Sequence, residues 1–162
     1  MAATTSQNDG LARPTEAGVS VWLDQIRRSL IESGELARLR DELSLRGETS
    51  NPAIFEKAIL GSDEYDEDIA RLAREGMDAT GIYLDIAVRD VQAACDVLRP
   101  VWDEAGGADG FVSLEVEPSL AHDTDKTLEQ ARDLWRRVDR PNVMIKIPGT
   151  EEGIPAIEEA IA

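Results

Sequence analysis

Lysine is an unusual residue to find within an apolar strand, and Lys146 stands in one. The stretch from Pro141 to Thr150, PNVMIKIPGT, places Val143, Ile145 and Ile147 on one face of a period-two pattern. Met144 and Lys146 fall on the other face. An ammonium so placed needs partners or must shed its proton. Pro148 and Gly149 stop the strand, and Thr150 is placed to cap a helix beginning at Glu151. An amine at the carboxyl end of a strand, beside a helix start, is where a (βα) barrel would carry a Schiff-base lysine. The plainer alternative is a strand-end lysine whose length carries its charge to solvent.

Other segments end in the same way. Val19, Val21 and Leu23 alternate with Ser20, Trp22 and Asp24, which predicts a first strand closing on Asp24. A second strand is expected within Leu43 to Thr49, running into Thr49-Ser50-Asn51-Pro52. From Phe111 to Glu117, Val112, Leu114 and Val116 share one face, while Ser113 and Glu115 lie on the other. In a parallel barrel those second faces converge on the interior, and the polar ends Asp24, Thr49 with Asn51, Glu115 and Lys146 meet in one mouth. There a lysine tuned toward its neutral amine could attack a ketone, and the iminium would withdraw electrons from the neighbouring carbon. An aspartate could take a hydroxyl proton as a carbon–carbon bond breaks, and a glutamate could move protons through water. An amide and a hydroxyl could hold sugar hydroxyls in register. The iminium is the electron sink, so this chemistry calls for no metal and no cofactor.

The elements that must position these groups alternate along the chain. Ile26, Leu30 and Ile31 fit a short helix closed by Ser33-Gly34, and Leu36 and Leu39 a second, ending near Glu42. Asn51 suits the cap, and Pro52 the first turn, of a helix with Ile54, Phe55, Ala58 and Ile59 on its apolar side. Ser62 to Glu75 predicts an acidic, solvated helix. Asp78 to roughly Ala105 predicts a long amphipathic one whose stripe includes Leu84, Val91, Cys95 and Leu98. A helix from about Asp125 to Val138 precedes the lysine strand, and one carrying Ile154, Ile157 and Ile161 follows it. His122 reads as a loop residue. Such alternation argues for an α/β fold of parallel strands joined by right-handed crossovers.

Composition narrows the partners. The chain has 162 residues and a formal net charge of -16, which disfavours nucleic acid and anionic membranes. A small phosphorylated substrate stays compatible, since backbone amides and a few cations can hold it. Cys95 is the only cysteine, so no intramolecular disulfide and no cysteine-based zinc site is expected. No apolar run reaches about 18 residues. Residues 1–17 read as a flexible tail without a signal pattern, 18–162 as one domain, and the cytoplasm as the location.

The sequence resembles transaldolase, of the longer bacterial type. Thr49-Ser50-Asn51-Pro52-Ala53-Ile54-Phe55 is similar to the family's signature after its second strand. Val143-Met144-Ile145-Lys146-Ile147-Pro148 resembles the strand carrying its Schiff-base lysine, Ser113-Leu114-Glu115-Val116 its third strand, and Ser20-Val21-Trp22-Leu23-Asp24 its first. The Ser33-Gly34-Glu35-Leu36 turn and the stretch Ile86 to Gln92 resemble the longer type. The likeness covers nearly everything after residue 18. It implies the first half, about four βα units, of a (β/α)8 TIM barrel, with extra helices between strands 2 and 3. It implies Lys146 as the Schiff-base residue, Asp24 as the base for carbon–carbon cleavage and Glu115 as a proton relay through water. Asn51, with Thr49 beside it, would bind the retained dihydroxyacetone unit. The implied reaction moves that unit from sedoheptulose 7-phosphate to glyceraldehyde 3-phosphate in the pentose phosphate pathway.

Two departures accompany the likeness. Glu48 stands where the family often has a small or aliphatic residue. The family's later strands, which bring further substrate-binding groups, have no counterpart here. The chain is therefore expected to be an incomplete piece with little activity alone, and its open side could pair with a second copy. Two alternatives remain: a fructose 6-phosphate aldolase-like enzyme, and a non-catalytic half-barrel that binds sugar phosphates.

Overall fold

The computed structural model describes residues 9–162. Four short strands form one sheet: β1 (Trp22–Leu23), β2 (Gly47–Thr49), β3 (Val112–Glu115) and β4 (Val143–Lys146). All three pairings are parallel, and the strands lie side by side in chain order. Each connection therefore passes over the sheet by way of helices, and the result is an α/β fold. The strands are shorter than the alternation predicts. The first shrinks from Val19–Asp24 to Trp22–Leu23, because β2 gives it only the two partners Gly47 and Glu48.

Register separates the two faces. Leu23 lies against Glu48, and Glu48 against Val112, so these three share a face. Val112 and Leu114 point into the main core with Leu134 and Val138, so this is the face the helices cover. Thr49 lies against Ser113 and Glu115 against Lys146, which puts the polar set on the other face, left uncovered by the described helices. Trp22 is on that face too. Its indole lies across Gly47, where a Cβ would come within 2.3 Å of the ring. Glycine is the residue that lets the indole lie against the strand.

The helices follow the amphipathic stripes. A first short pair, α2 (Arg28–Glu32) and α3 (Glu35–Glu42), links β1 to β2, with α1 (Asp9–Glu16) ahead of them. Helix α1 falls inside the segment expected to be a tail. It is only eight residues long, has Leu11 as its one large apolar residue and contains Pro14, so periodicity gave no sign of it. Three helices stand between β2 and β3: α4 (Pro52–Leu60), α5 (Asp66–Arg74) and α6 (Ala79–Glu104). Helix α5 begins later than Ser62, since residues 62–65 form a turn that buries Tyr65. Helix α6 starts where Asp78 accepts a hydrogen bond from the Gly81 amide, and it lays Leu84, Val88, Val91 and Leu98 on the sheet. After β3 a single 3-10 turn leads into α7 (Thr124–Val138), capped by Asp123. The last helix, α8, spans Gly153–Ile161. It begins two residues after Glu151, although the Thr150 hydroxyl still accepts from the Gly153 amide at 3.0 Å.

Glu48 is a polar residue on the core face, and none of it is exposed. Close by, Arg28 of α2 donates to Asp90 of α6 from Nε and Nη2, at 3.1 and 3.0 Å. Its Nη1 donates to Asp68 of α5 at 2.6 Å. The Tyr65 hydroxyl donates to Asp90 at 2.8 Å and accepts from the Arg28 amide. These bonds tie α2, α5 and α6 together.

Candidate functional site

Lys146 ends β4 on the uncovered face, opposite Glu115 of β3. Its Nζ lies 3.2 Å from Glu115 Oε2 and donates to Thr49 Oγ1 at 3.3 Å. Thr49 Oγ1 also accepts from the Ser113 hydroxyl at 2.9 Å. The amine, a carboxylate and two hydroxyls thus form one cluster at the carboxyl ends of three adjacent parallel strands. The lysine side chain is 36% exposed and the glutamate 27%, so both are reachable from solvent. Behind the cluster Ser50 donates to the Ser113 carbonyl at 2.6 Å, pinning the end of β2 to β3.

Asn51 follows directly. Its Oδ1 accepts from the Ile54 amide at 2.9 Å and caps α4. That leaves the amide NH2 free to donate to another group. Asn51 and Glu115 both line a cleft of about 860 Å³, shared with Tyr83, Glu56 and Glu117. Tyr83 stacks edge-on against Phe55, with ring centres 5.9 Å apart. Burial, and then the nearby carboxylates Glu115 and Glu117, push its phenol up to about 12. Tyr83 therefore stays a neutral O–H donor at the edge of the cleft. Glu117 is held by Gln130, whose Nε2 donates to it at 2.7 Å.

Asp24 stands apart. It follows β1 by one residue, at an exposed bend. It borders a small cavity of about 290 Å³ with Arg27, Ile54 and Lys57. Among the described residues, none of the other four candidates bonds to its carboxylate. The structure thus brings Lys146, Glu115 and Thr49 together, sets Asn51 at the rim and leaves Asp24 at the neighbouring strand end. Ser113 is a member of the cluster that the sequence reading did not single out, although the period-two pattern placed it on the same face as Glu115. His122 lies in the loop expected for it, 3.1 Å from Glu152 just before α8. Among the described residues no group of three or more His, Cys, Asp or Glu side chains is gathered as for a metal ion. No described helix is long and apolar enough to cross a membrane.

Comparison with known proteins gives this arrangement a family. Residues 21–162 match the family model for transaldolase/fructose-6-phosphate aldolase. The chain is 50% identical over 157 residues to a transaldolase of Mycobacterium marinum, a match covering 97% of this chain and 42% of that protein. It is 49% identical over 158 residues to the transaldolase of Mycobacterium tuberculosis, covering 98% of this chain and again 42% of the relative. The Mycobacterium leprae transaldolase is 49% identical over 156 residues, with the same 42% spanned. This chain therefore spans well under half the length of the curated relatives it matches, and it belongs to the transaldolase/fructose-6-phosphate aldolase family.

Proposed function

We propose that this chain is the first four βα units of a (β/α)8 transaldolase barrel and that Lys146 is its covalent nucleophile. In this reading the neutral amine attacks the ketone carbon of sedoheptulose 7-phosphate. Loss of water leaves an iminium. Asp24 takes the proton from the hydroxyl on the carbon to be released, and the carbon–carbon bond breaks to give an aldehyde and an enamine. The enamine adds to glyceraldehyde 3-phosphate, and water then frees the lysine. Glu115, joined to the amine, moves protons through water as the carbinolamine forms and collapses. The Asn51 NH2 and the Thr49 hydroxyl hold the hydroxyls of the retained dihydroxyacetone unit. The observation that carries this reading is the contact of the Lys146 amine with Glu115 and Thr49 at the ends of adjacent parallel strands. The proposed setting is the cytoplasm and the pentose phosphate pathway, with sugar phosphates as partners.

The test is trapping. Borohydride added with fructose 6-phosphate to the complete barrel should leave a three-carbon adduct on Lys146. An adduct mapped to Lys57 or Lys126, or none at all, rejects the assignment. Chain 1–162 alone should show little transfer. An open half leaves two sheet edges and the Trp22–Met144 face uncovered, which favours pairing with a second copy and keeps the site wet. Turnover within about tenfold of a full-length relative, in a monodisperse monomer, would overturn that expectation. A small fructose 6-phosphate aldolase is the second reading. The three helices between β2 and β3 favour the transferase, and product analysis with and without an acceptor aldehyde separates the two.

A further inference from the structure

Glu48 has no part in the chemistry above, yet it sits directly behind it. Its side chain is wholly enclosed, and neither carboxyl oxygen has a hydrogen-bond partner. It belongs to β2, a strand of three residues held by two register pairs on each side. The next residue, Thr49, turns to the opposite face and meets the Lys146 amine. Two residues further on, Asn51 begins α4. Whatever moves Glu48 moves the strand end that presents both.

The charged groups around Glu48 are unevenly supplied. From α6 the Asp90 carboxylate acts on it, and Cys95 lies within electrostatic reach. Asp90 receives two N–H bonds from Arg28 of α2 and one O–H bond from Tyr65, and it also feels Glu32. Burial pushes the Cys95 thiol up to about 12, so that group stays neutral. The register neighbours of Glu48 are the apolar Leu23 and Val112. When two carboxyls share one core and only one of them is given donors, the ungiven one takes the proton. Burial raises the Asp90 carboxyl as well, but Arg28 and the Tyr65 hydroxyl pull it back toward its charged form, whereas Glu48 has no such donor and is the one to hold the hydrogen.

We propose that the Glu48 carboxyl is a proton-operated brace behind the site: neutral, it lets β2 lie against α6, and ionised, it loosens the strand end that presents Thr49 and Asn51. This inference goes beyond the transaldolase reading, and its tests do not use turnover. Burial, then the Asp90 charge, raises the Glu48 carboxyl from 4.5 to about 8. A raised carboxyl binds its proton more tightly in the folded chain than in the unfolded one. The stability is therefore full below pH 4.5 and is lost progressively up to about pH 8. The folding constant should fall about tenfold per pH unit across that window and then level off.

The experiment is carboxyl carbon NMR on the chain labelled at its glutamates, with amide spectra recorded on the same samples. One glutamate resonance should titrate with a midpoint near pH 8, and it should be missing in Glu48→Gln. The Thr49 and Ser113 amide signals should shift with that same midpoint in the wild-type chain and stay still in the variant. If Glu48→Gln does not fold, the wild-type resonance assigned through its own side-chain protons decides the matter. Two outcomes overturn the proposal. One is that every glutamate titrates below about pH 6. The other is that Glu48 titrates near pH 8 while the Thr49 amide does not follow it, which would make the carboxyl a buried acid without hold on the site.

Discussion

The molecule carries two polar clusters on opposite faces of the same sheet, and they are built differently. Beneath the sheet, Arg28 is closed in by Asp90, Asp68 and Tyr65, with bonds between 2.6 and 3.1 Å. The side chains of Arg28, Asp90 and Asp68 are 17, 4 and 20% exposed. On the open face, Lys146 has one ion pair at 3.2 Å and one hydrogen bond at 3.3 Å, and more than a third of its side chain meets solvent. The buried cluster saturates its donors because an unpaired charge there would be costly. The open cluster leaves its amine lightly held, as a group must be that has to exchange partners during a reaction. Tight bonding marks the structural cluster and slack bonding the one proposed to carry the chemistry.

The largest effect should come from the buried cluster. Arg28→Ala removes the guanidinium from Asp90 and Asp68 and leaves Asp90 beside Glu48 with only the Tyr65 donor. Breaking a buried pair by removing one partner costs about 3–5 kcal/mol. Urea unfolding of the variant should show a loss of that order, or no folded baseline. A loss under about 1 kcal/mol would put Arg28 among ordinary surface pairs and dissolve the contrast.

Asp24→Asn tests the other side of the comparison. Asp24 is exposed and bonds to no other site residue, so the substitution should leave the urea midpoint unchanged. In the complete barrel it should slow carbon–carbon cleavage by about 10²–10⁴, the usual worth of a positioned acid–base group. The amide keeps the size of the side chain but cannot accept the proton. An unchanged turnover number with only a raised Michaelis constant would make Asp24 a binding residue.

The uneven legibility of the two clusters has a physical reason. Along the third and fourth strands the open one repeats every second residue, which puts Glu115 and Lys146 on one face each, while Thr49 was legible only as the polar end of a strand whose own alternation is weak. Asn51 and Pro52 announced the start of α4 for the same local reason. The buried cluster joins Arg28 to Asp90 across 62 residues and to Asp68 across 40, and no periodicity links positions so far apart. The departure at Glu48 was visible in the sequence, but its face was not. A carboxylate in a strand is normally assigned to solvent, and only the pairing with Val112 turns it toward α6. Helix α1 escaped because it is short, lies in a polar segment and offers a single large apolar residue, Leu11.

A smaller effect should come from Ser113→Ala. The residue is 4% exposed, and its hydroxyl donates to Thr49. One neutral hydrogen bond is lost, worth about 1 kcal/mol. Thr49 keeps the Lys146 contact, so the cluster should survive and Schiff-base trapping should continue in the complete barrel. Loss of trapping in a folded variant would show that the hydroxyl relay, not the ion pair alone, orients the amine.

Little stability should be lost at the residue on which the proposed chemistry depends most. Lys146→Met keeps a long, unbranched side chain on the same face of β4, and Met144 already occupies that face two residues earlier. The ion pair that is lost has both partners more than a quarter exposed. Water takes over the solvation of Glu115, and pairs of this kind contribute about 0–1 kcal/mol. Thr49 loses a donor but keeps the one from Ser113. Nothing buried is left without a partner, in contrast to Arg28. The urea midpoint of Lys146→Met should therefore lie close to that of the wild-type chain, while borohydride trapping in the complete barrel disappears. A destabilisation above about 2 kcal/mol would mean that the lysine holds β2, β3 and β4 together. Its slack bonding would then be no sign of a chemical role, and the distinction between the two faces would fail at its central residue.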